Sequence, residues 1–345
     1  MRFSASAPGK AVLSGEYAVL QGAPAIAMAI DCRARVTIEA TDAEFHSVVS
    51  RGPSGSRAEF RCRQRGAIEW LDNGGMQSEQ DLLEHIWRQL RALPSQSLAL
   101  TLDTRSFFDA ESSMKLGFGS SAALTTALTG ALLRAGAAEV RARQPRDLLE
   151  TALAAHRSFQ GGKGSGIDVA AAVHGGVIAL SLRPDRAIRA LQWPAGVKYS
   201  LLWSGKPAST VDRLKRLERF RPNRAARRSM AALIEASDKV LDAWQRAVDR
   251  RILESLRLYT VALRKFSDAL DLGVFDAGHQ ELTEIAEQQD LVYKPCGAGG
   301  GDIGIVMATQ ESSDTAFTDF GSRAGQLGFR RLDRSLESAG LNYEH

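Results

Sequence analysis

Apolar positions recur along this chain with two periods, and the periods alternate. Between residues 3 and 40 the pattern is strand-like, with candidate strands at Val12–Leu13, Ala25–Ile30 and Arg35–Ala40. Residues 41–78 are polar and Gly-rich, which predicts short strands and long loops. Leu82, Leu83, Ile86 and Leu90 share a helical face, so Glu79–Leu93 is an expected helix, ended by Pro94. Leu98–Leu102 reads as a strand. From Ala122 the helical period returns through Leu124, Leu128, Ala131 and Leu132. Arg146–Phe159 is another expected helix and Val177–Leu182 a strand. Periodicity lapses from Pro184 to Gly196, and the domain boundary is placed there. Beyond it come a strand at Tyr199–Trp203 and two long helices. The first runs through Met230, Leu233, Ile234, Leu241, Trp244 and Val248, the second through Ile252, Leu256, Tyr259 and Leu263. Gly273 breaks the pattern. His279–Gln289 is expected to be helical and Ile303–Met307 extended.

The stretch Lys115–Leu132, KLGFGSSAALTTALTGAL, joins a Gly-rich turn to a helix start. Gly117 and Gly119 let the backbone bend and approach a ligand. The unpaired N–H groups of a helix N-terminus, with its positive dipole end, hold phosphate. A serine cap on a core helix fits the same letters. Two more glycine clusters lie far away in sequence, GGKGSGIDVAAAVHGG around Asp168 and KPCGAGGGDIGIVMA near residue 299. Together they suggest a backbone-lined cavity closed from both domains. Lys10 follows Pro8-Gly9 and reads as a lysine in a turn. A carboxylate can orient or deprotonate a hydroxyl, and a lysine can neutralise a phosphoryl oxygen. Phosphoryl transfer asks for little beyond such positioning, charge and a divalent metal. The chain has no GxxxxGK[ST] string, so its phosphate cradle is of another kind.

Length and charge narrow the partners. With 345 residues, two domains are favoured over one. A net charge of +4 suits anionic small molecules as well as nucleic acid. Arg213–Arg228 carries eight Arg and Lys residues, which fits a solvated helix face. Phe220 is its one aromatic, so base stacking is poorly supported and no nucleic-acid partner is expected. Cys32, Cys62 and Cys296 have no zinc-ligand spacing and imply no disulfide framework, in keeping with a reducing cytoplasm. No apolar stretch precedes the Ala5–Ala7 string, so it is not a signal peptide, and the run near Ala23–Ile30 is too short to span a bilayer. No membrane partner is expected, and the oligomeric state is left open.

PGKAVLSGEYAVL, KLGFGSSAALTTAL and KPCGAGGGDIGIVM, in that order, resemble the three motifs of the GHMP kinases, named for galactokinase, homoserine kinase, mevalonate kinase and phosphomevalonate kinase. The resemblance runs from residue 7 to about 308. It implies a two-domain α+β fold. Residues 1–190 would form an N-terminal domain like ribosomal protein S5 domain 2, and 191–345 a ferredoxin-like C-terminal domain. ATP, with Mg2+, and a phosphorylated small alcohol would lie between them. Carried over by motif, Lys10 and Asp168 are the catalytic pair. Lys115, Gly117, Gly119, Ser120, Ser121 and Ala122 hold ATP, with Ser121 as the metal-side hydroxyl. Tyr17, Lys163, Ser165, Gly297, Ala298, Gly299 and Gly300 face the alcohol. Asp302 binds or caps a turn.

Within the family, AHRSFQGGKGSGIDVAAAVHGG (residues 155–176), GEYAVL and ASTVDRL are most similar to the branch that phosphorylates phosphomevalonate to mevalonate diphosphate. Two positions depart from family patterns. Arg157 stands where mevalonate kinases carry a glutamate, which removes one expected magnesium ligand and counts against that branch. Cys296 stands where serine is usual, and a thiol is the poorer donor. The alternatives are a kinase for mevalonate or another small alcohol, and a nucleotide-sensing regulator without turnover. Intact Lys10, Ser121 and Asp168 argue against the regulator. His156 and His174 read as packed or capping histidines, and Trp203 as core.

Lys163 and Lys206 are candidates for the phosphate that the alcohol already carries. Lys163→Ala should raise KM for the phosphorylated alcohol by about tenfold to a hundredfold, the loss of one charge-assisted contact, and leave KM for ATP nearly unchanged. Equal effects on a phosphorylated and an unphosphorylated alcohol would place the phosphate site elsewhere.

Overall fold

A computed structural model describes residues 2–344 apart from 53–54, 64–66, 73, 91–95, 137–143, 163, 209–212, 214–223 and 313. Strands β1 (Arg2–Ser14) and β2 (Ala25–Thr41) form a long antiparallel ladder. Pro8-Gly9 is not a turn. β1 runs straight through it, with Pro8 opposite Arg33 and Gly9 opposite Ile30, so the register shifts at that point. Proline has no N–H for a ladder and is tolerated at such a bulge. Lys10 therefore sits within a strand, opposite Ala29. The two strands expected at 25–30 and 35–40 are one. Cys32 and Ala34 are buried while Asp31, Arg33 and Arg35 point outward, so the alternation continues across the gap.

The first sheet also holds β3 (His46–Arg51), β4 (Arg57–Cys62), β5 (Ile68–Trp70), β6 (Ser97–Asp103), β7 (Val177–Ser181), β8 (Ala187–Leu191) and β13 (Asn342–Glu344). Beyond β1, β2 pairs with β6 along Arg35–Thr41 and with β7 along Ala25–Met28. β8 lies in the stretch where periodicity lapses. It is a mostly exposed edge strand with no apolar face to give a signal. The expected division after residue 190 falls at the end of β8, and the chain returns to the first sheet through β13, beside β1. Arg134 lies over the rings of Phe3 and Tyr343, at 5.4 and 4.9 Å, and so ties that last strand down.

Among the described residues four helices pack with this sheet, α1 (Gln77–Trp87), α2 (Ser120–Ala135), α3 (Gln144–Phe159) and α4 (Ile167–His174). α2 lies on β1 and β2, flanked by α3 and α4. It is buried at every position from Ala122 to Leu132, so it is a core helix and not an amphipathic one. α1 stops at Trp87, earlier than expected, because the N–H groups of Gln89 and Leu90 reach back three residues instead of four. Pro94 lies outside the described residues.

The second sheet orders its strands β10 (Val292–Pro295), β11 (Ile303–Thr309), β9 (Val197–Trp203), β12 (Arg330–Leu332), all antiparallel. With α5 (Arg224–Gln245), α6 (Asp249–Ala269), α7 (His279–Gln288) and α8 (Asp314–Gln326) this is the expected ferredoxin-like arrangement. Of the basic run, Arg213 and residues 224–228 are described. Arg224, Arg227 and Arg228 are exposed on the first turns of α5. One hydrophobic cluster continues from Phe3 through Trp203 and Phe266 to Met307, so the halves share a core. Among the described residues no helix is long and apolar enough to cross a membrane.

Candidate active site

A cavity of about 160 Å³ opens where β1, α4 and the third glycine loop meet. Lys10, Glu16, Tyr17, Ser165, Asp168, Gly297 and Ala298 line its polar side. Val12, Val19, Leu20, Ala25 and Ile167 line the apolar side. The Lys10 N–H donates to the Phe118 carbonyl at 2.9 Å, which holds β1 against the phosphate loop. Its side chain then passes between two glycine loops. A β-carbon on Gly119 would lie 3.1 Å from Lys10 Cε, and one on Gly297 3.6 Å from Nζ. Asp168 is in the first turn of α4, where its Oδ1 accepts from the Val169 N–H at 3.0 Å. Ser165 Oγ accepts from the Ile167 N–H at 3.3 Å, shaping the turn before it.

Gly119 precedes α2 in a left-handed conformation, φ 77°, which leaves Ser120, Ser121 and Ala122 as the helix's first turn. Their N–H groups are the orphan donors of a helix start. Ser121 Oγ is 3.2 Å from Nε2 of His156, which is 1 % exposed on α3. The histidine read as packed is thus packed against the serine assigned to the metal side. Lys115 is exposed and bridges Phe108 at the base of the loop.

Gly117 has φ 91°, and a β-carbon there would come within 2.3 Å of Asp302 Cβ. Asp302 caps a turn of the other half. Its Oδ1 accepts from the Ala208 N–H at 3.2 Å, its N–H donates to Lys206 O and its carbonyl accepts from Ser204. Burial pushes its carboxyl above the usual range, against the pull of the Ala208 N–H and of Lys10, Arg213 and Lys115. Phosphate loop and third loop therefore interlock through one missing side chain.

Tyr17 donates to the Ala298 carbonyl at 2.8 Å. Burial raises its hydroxyl pKa, partly offset by Arg213 and reinforced by Glu16, so it stays a neutral donor. Gly297 and Ala298 reach the cavity, whereas Gly299 and Gly300 pack on Val274 and the Gly273 carbonyl. His279 braces this loop. Burial pushes its pKa down to about 4, and since the Gly301 carbonyl can only accept, Nε2 carries the hydrogen (3.1 Å) while Nδ1 accepts from Tyr293 Oη (2.8 Å). Burial pushes the Cys296 thiol up to about 11, so it stays protonated.

Glu16 on the cavity wall, with Tyr259 and Lys294 buried behind it, carries no site signal in the sequence. Glu16 Oε1 is 2.5 Å from Lys294 Nζ, and Glu16 Oε2 accepts from Tyr259 Oη at 2.6 Å. Glu16 lies inside the GEYAVL motif, which by itself gives it no role. A lysine on a four-residue strand carried no signal at all. Arg157 Nε donates to the Gly162 carbonyl at 3.0 Å and braces the loop before Asp168. Lys163 lies outside the described residues, and Lys206 is exposed. Among the described residues no three His, Cys, Asp or Glu side chains cluster to hold a metal alone.

The Gly117–Asp302 contact makes a prediction. Gly117→Ala adds a methyl where there is no room, at a φ that costs a side chain on the order of 1–3 kcal/mol. The melting temperature should fall and KM for ATP should rise. Unchanged melting and ATP kinetics would mean that the loops do not interlock.

Residues 82–176 match the family description "GHMP kinases N terminal domain". A phosphomevalonate kinase from Streptomyces sp. (strain CL190) is 29% identical over 342 residues, covering 89% of this chain and 90% of that one. A mevalonate kinase from Methanothermobacter thermautotrophicus is 31% identical over 313 residues, covering 89% and 88%. The Streptococcus pneumoniae phosphomevalonate kinase, solved with phosphomevalonate and AMPPNP, superposes with a TM-score of 0.72 at 17% identity, over 96% of this chain and 99% of that one. A glycine-capped helix start, a lysine threaded between two glycine loops and a facing carboxylate thus sit on a fold shared with these enzymes, and the chain belongs to the GHMP kinase family, as a kinase that uses ATP.

Proposed function

We propose that this protein phosphorylates phosphomevalonate with ATP, giving mevalonate diphosphate and ADP. The observation that supports it most is the meeting of Lys10, Asp168 and the Gly297-Ala298 loop at one cavity, beside the start of α2. The N–H groups of Ser120, Ser121 and Ala122 hold ATP phosphates. Lys10 neutralises the oxygens of the transferring group. Asp168 orients the acceptor oxygen of phosphomevalonate, on the phosphate it already carries, and takes any proton that oxygen bears. A bond forms from that oxygen to the γ-phosphorus, the bond from the γ-phosphorus to the β,γ-bridging oxygen breaks, and ADP leaves. The apolar wall of Val19, Leu20, Ala25 and Ile167 suits a branched carbon chain.

Mg2+ belongs to this reading. It is commonly held by one or two protein oxygens together with substrate phosphates and waters, so the sparse donor set of Ser121 Oγ and the Asp168 carboxylate fits it. When bound, it would offset phosphate charge. Residues 1–190 supply the ATP side and 191–345 the opposing loops, with the last strand returning to the first sheet.

Arg157 favours phosphomevalonate, since its side chain is spent on the Gly162 carbonyl where a metal-binding acid would otherwise stand. The Methanothermobacter thermautotrophicus relative favours mevalonate as the second reading. An ADP-release assay with Mg2+ across phosphomevalonate, mevalonate, galactose and homoserine decides between them. Phosphomevalonate should be turned over well above the rest, and equal or faster turnover of mevalonate would sink the assignment.

Asp168→Asn keeps the shape but removes the base and the negative charge. It should lower kcat by about 10²–10⁴ while ATP binding, read by calorimetry, persists. Wild-type kcat in that variant would make Asp168 a structural residue.

A further inference from the structure

Phosphoryl transfer as derived leaves the buried ion pair at the cavity wall without a task. Lys294 is 0 % exposed, and Glu16 only 6 % although it lines the cavity. Lys294 Nζ spends its three hydrogens on Glu16 Oε1 (2.5 Å), Pro295 O (2.7 Å) and Val12 O (3.2 Å). Tyr259 Oη donates to Glu16 Oε2 and accepts from the Gly15 N–H at 2.9 Å. Burial keeps that phenol protonated. Every donor hydrogen is used, so the cluster is closed and binds nothing itself.

A buried ion pair is weak as a source of stability, because desolvation offsets most of its attraction. What it supplies here is geometry. Val12, Gly15 and Glu16 come from the end of β1 and the turn after it, whereas Tyr259 stands on α6 and Lys294 and Pro295 on β10. On the cavity side the next residues are Tyr17 on one half and Gly297-Ala298 on the other, joined by the Tyr17–Ala298 hydrogen bond. We propose that Tyr259 and Lys294 are positioning residues for the alcohol. They fix the gap between the Gly15–Tyr17 turn and the Gly297-Ala298 loop, acting through Tyr17, while the start of α2 keeps its hold on ATP independently. The pair also hides the Glu16 charge, which would otherwise repel an anionic alcohol. This inference rests on the placement of the alcohol in that cavity.

A double-mutant cycle of Tyr259→Phe and Tyr17→Phe tests it. The alcohol panel on the wild type selects the substrate, so a failed cycle beside an active wild type counts against positioning and not against the function. Each single variant should raise KM for that alcohol by about tenfold: Tyr17→Phe loses its bond to the Ala298 carbonyl, and Tyr259→Phe loses the bond it donates to Glu16 and the one it accepts from Gly15. KM for ATP should stay within about twofold, and the double variant should be little worse than either single, because both break the same span. Additive losses, equal rises in both KM values, or a lower melting temperature with unchanged KM would each overturn the proposal. Should Tyr259→Phe not fold, Glu16→Gln, which keeps the shape of the carboxylate, is read by the same split.

Discussion

A lysine ammonium with no water around it must give all its hydrogens to protein oxygens, and Lys294 does so across the joint between the two halves. Leaving Glu16 buried without it would cost on the order of 3–5 kcal/mol, a large share of the roughly 5–15 kcal/mol that holds a domain folded. The joint is therefore held in one arrangement. β1 enters it at Val12 and the turn after β1 at Glu16, and Lys10 stands further back on the strand. The Lys10 N–H in turn anchors the phosphate loop through Phe118. One strand thus sets the spacing of the ammonium from both glycine loops.

A second constraint is an absent side chain. Asp302 fits against the phosphate loop because Gly117 offers only hydrogen there, and Asp302 is itself tied to Ser204, Lys206 and Ala208. The loops carrying the two glycine motifs meet at that contact, and the buried pair joins the halves at a second place. The cavity is lined by both polar and apolar side chains, as an alcohol with a branched carbon chain and anionic termini requires.

The glycine loops and the long helices were legible in the sequence because each rests on local rules of turn chemistry and period, whereas Lys10 and Asp168 were singled out as a pair by the resemblance of the motifs and not by any local rule. The fold class followed from the order of three motifs. Pro8-Gly9 misled, because a bulge in a long strand and a turn use the same residues, and only the partner strand tells them apart. β8 was invisible because an exposed edge strand has no apolar face. Lys294, Tyr259 and His156 were illegible as site residues for a common reason. Their importance lies in partners far away in sequence, at Glu16, Gly15 and Ser121, and no spacing rule reaches that far.

The central claim is that this cavity joins the γ-phosphoryl group of ATP to an alcohol that already carries a phosphate. Phosphorus NMR of the protein incubated with Mg2+, ATP and phosphomevalonate reads that bond directly. The phosphomonoester signal should give way to a pair of mutually coupled diphosphate resonances, in step with the appearance of ADP. Inorganic phosphate beside an unchanged phosphomonoester signal, or no consumption of ATP, would contradict it.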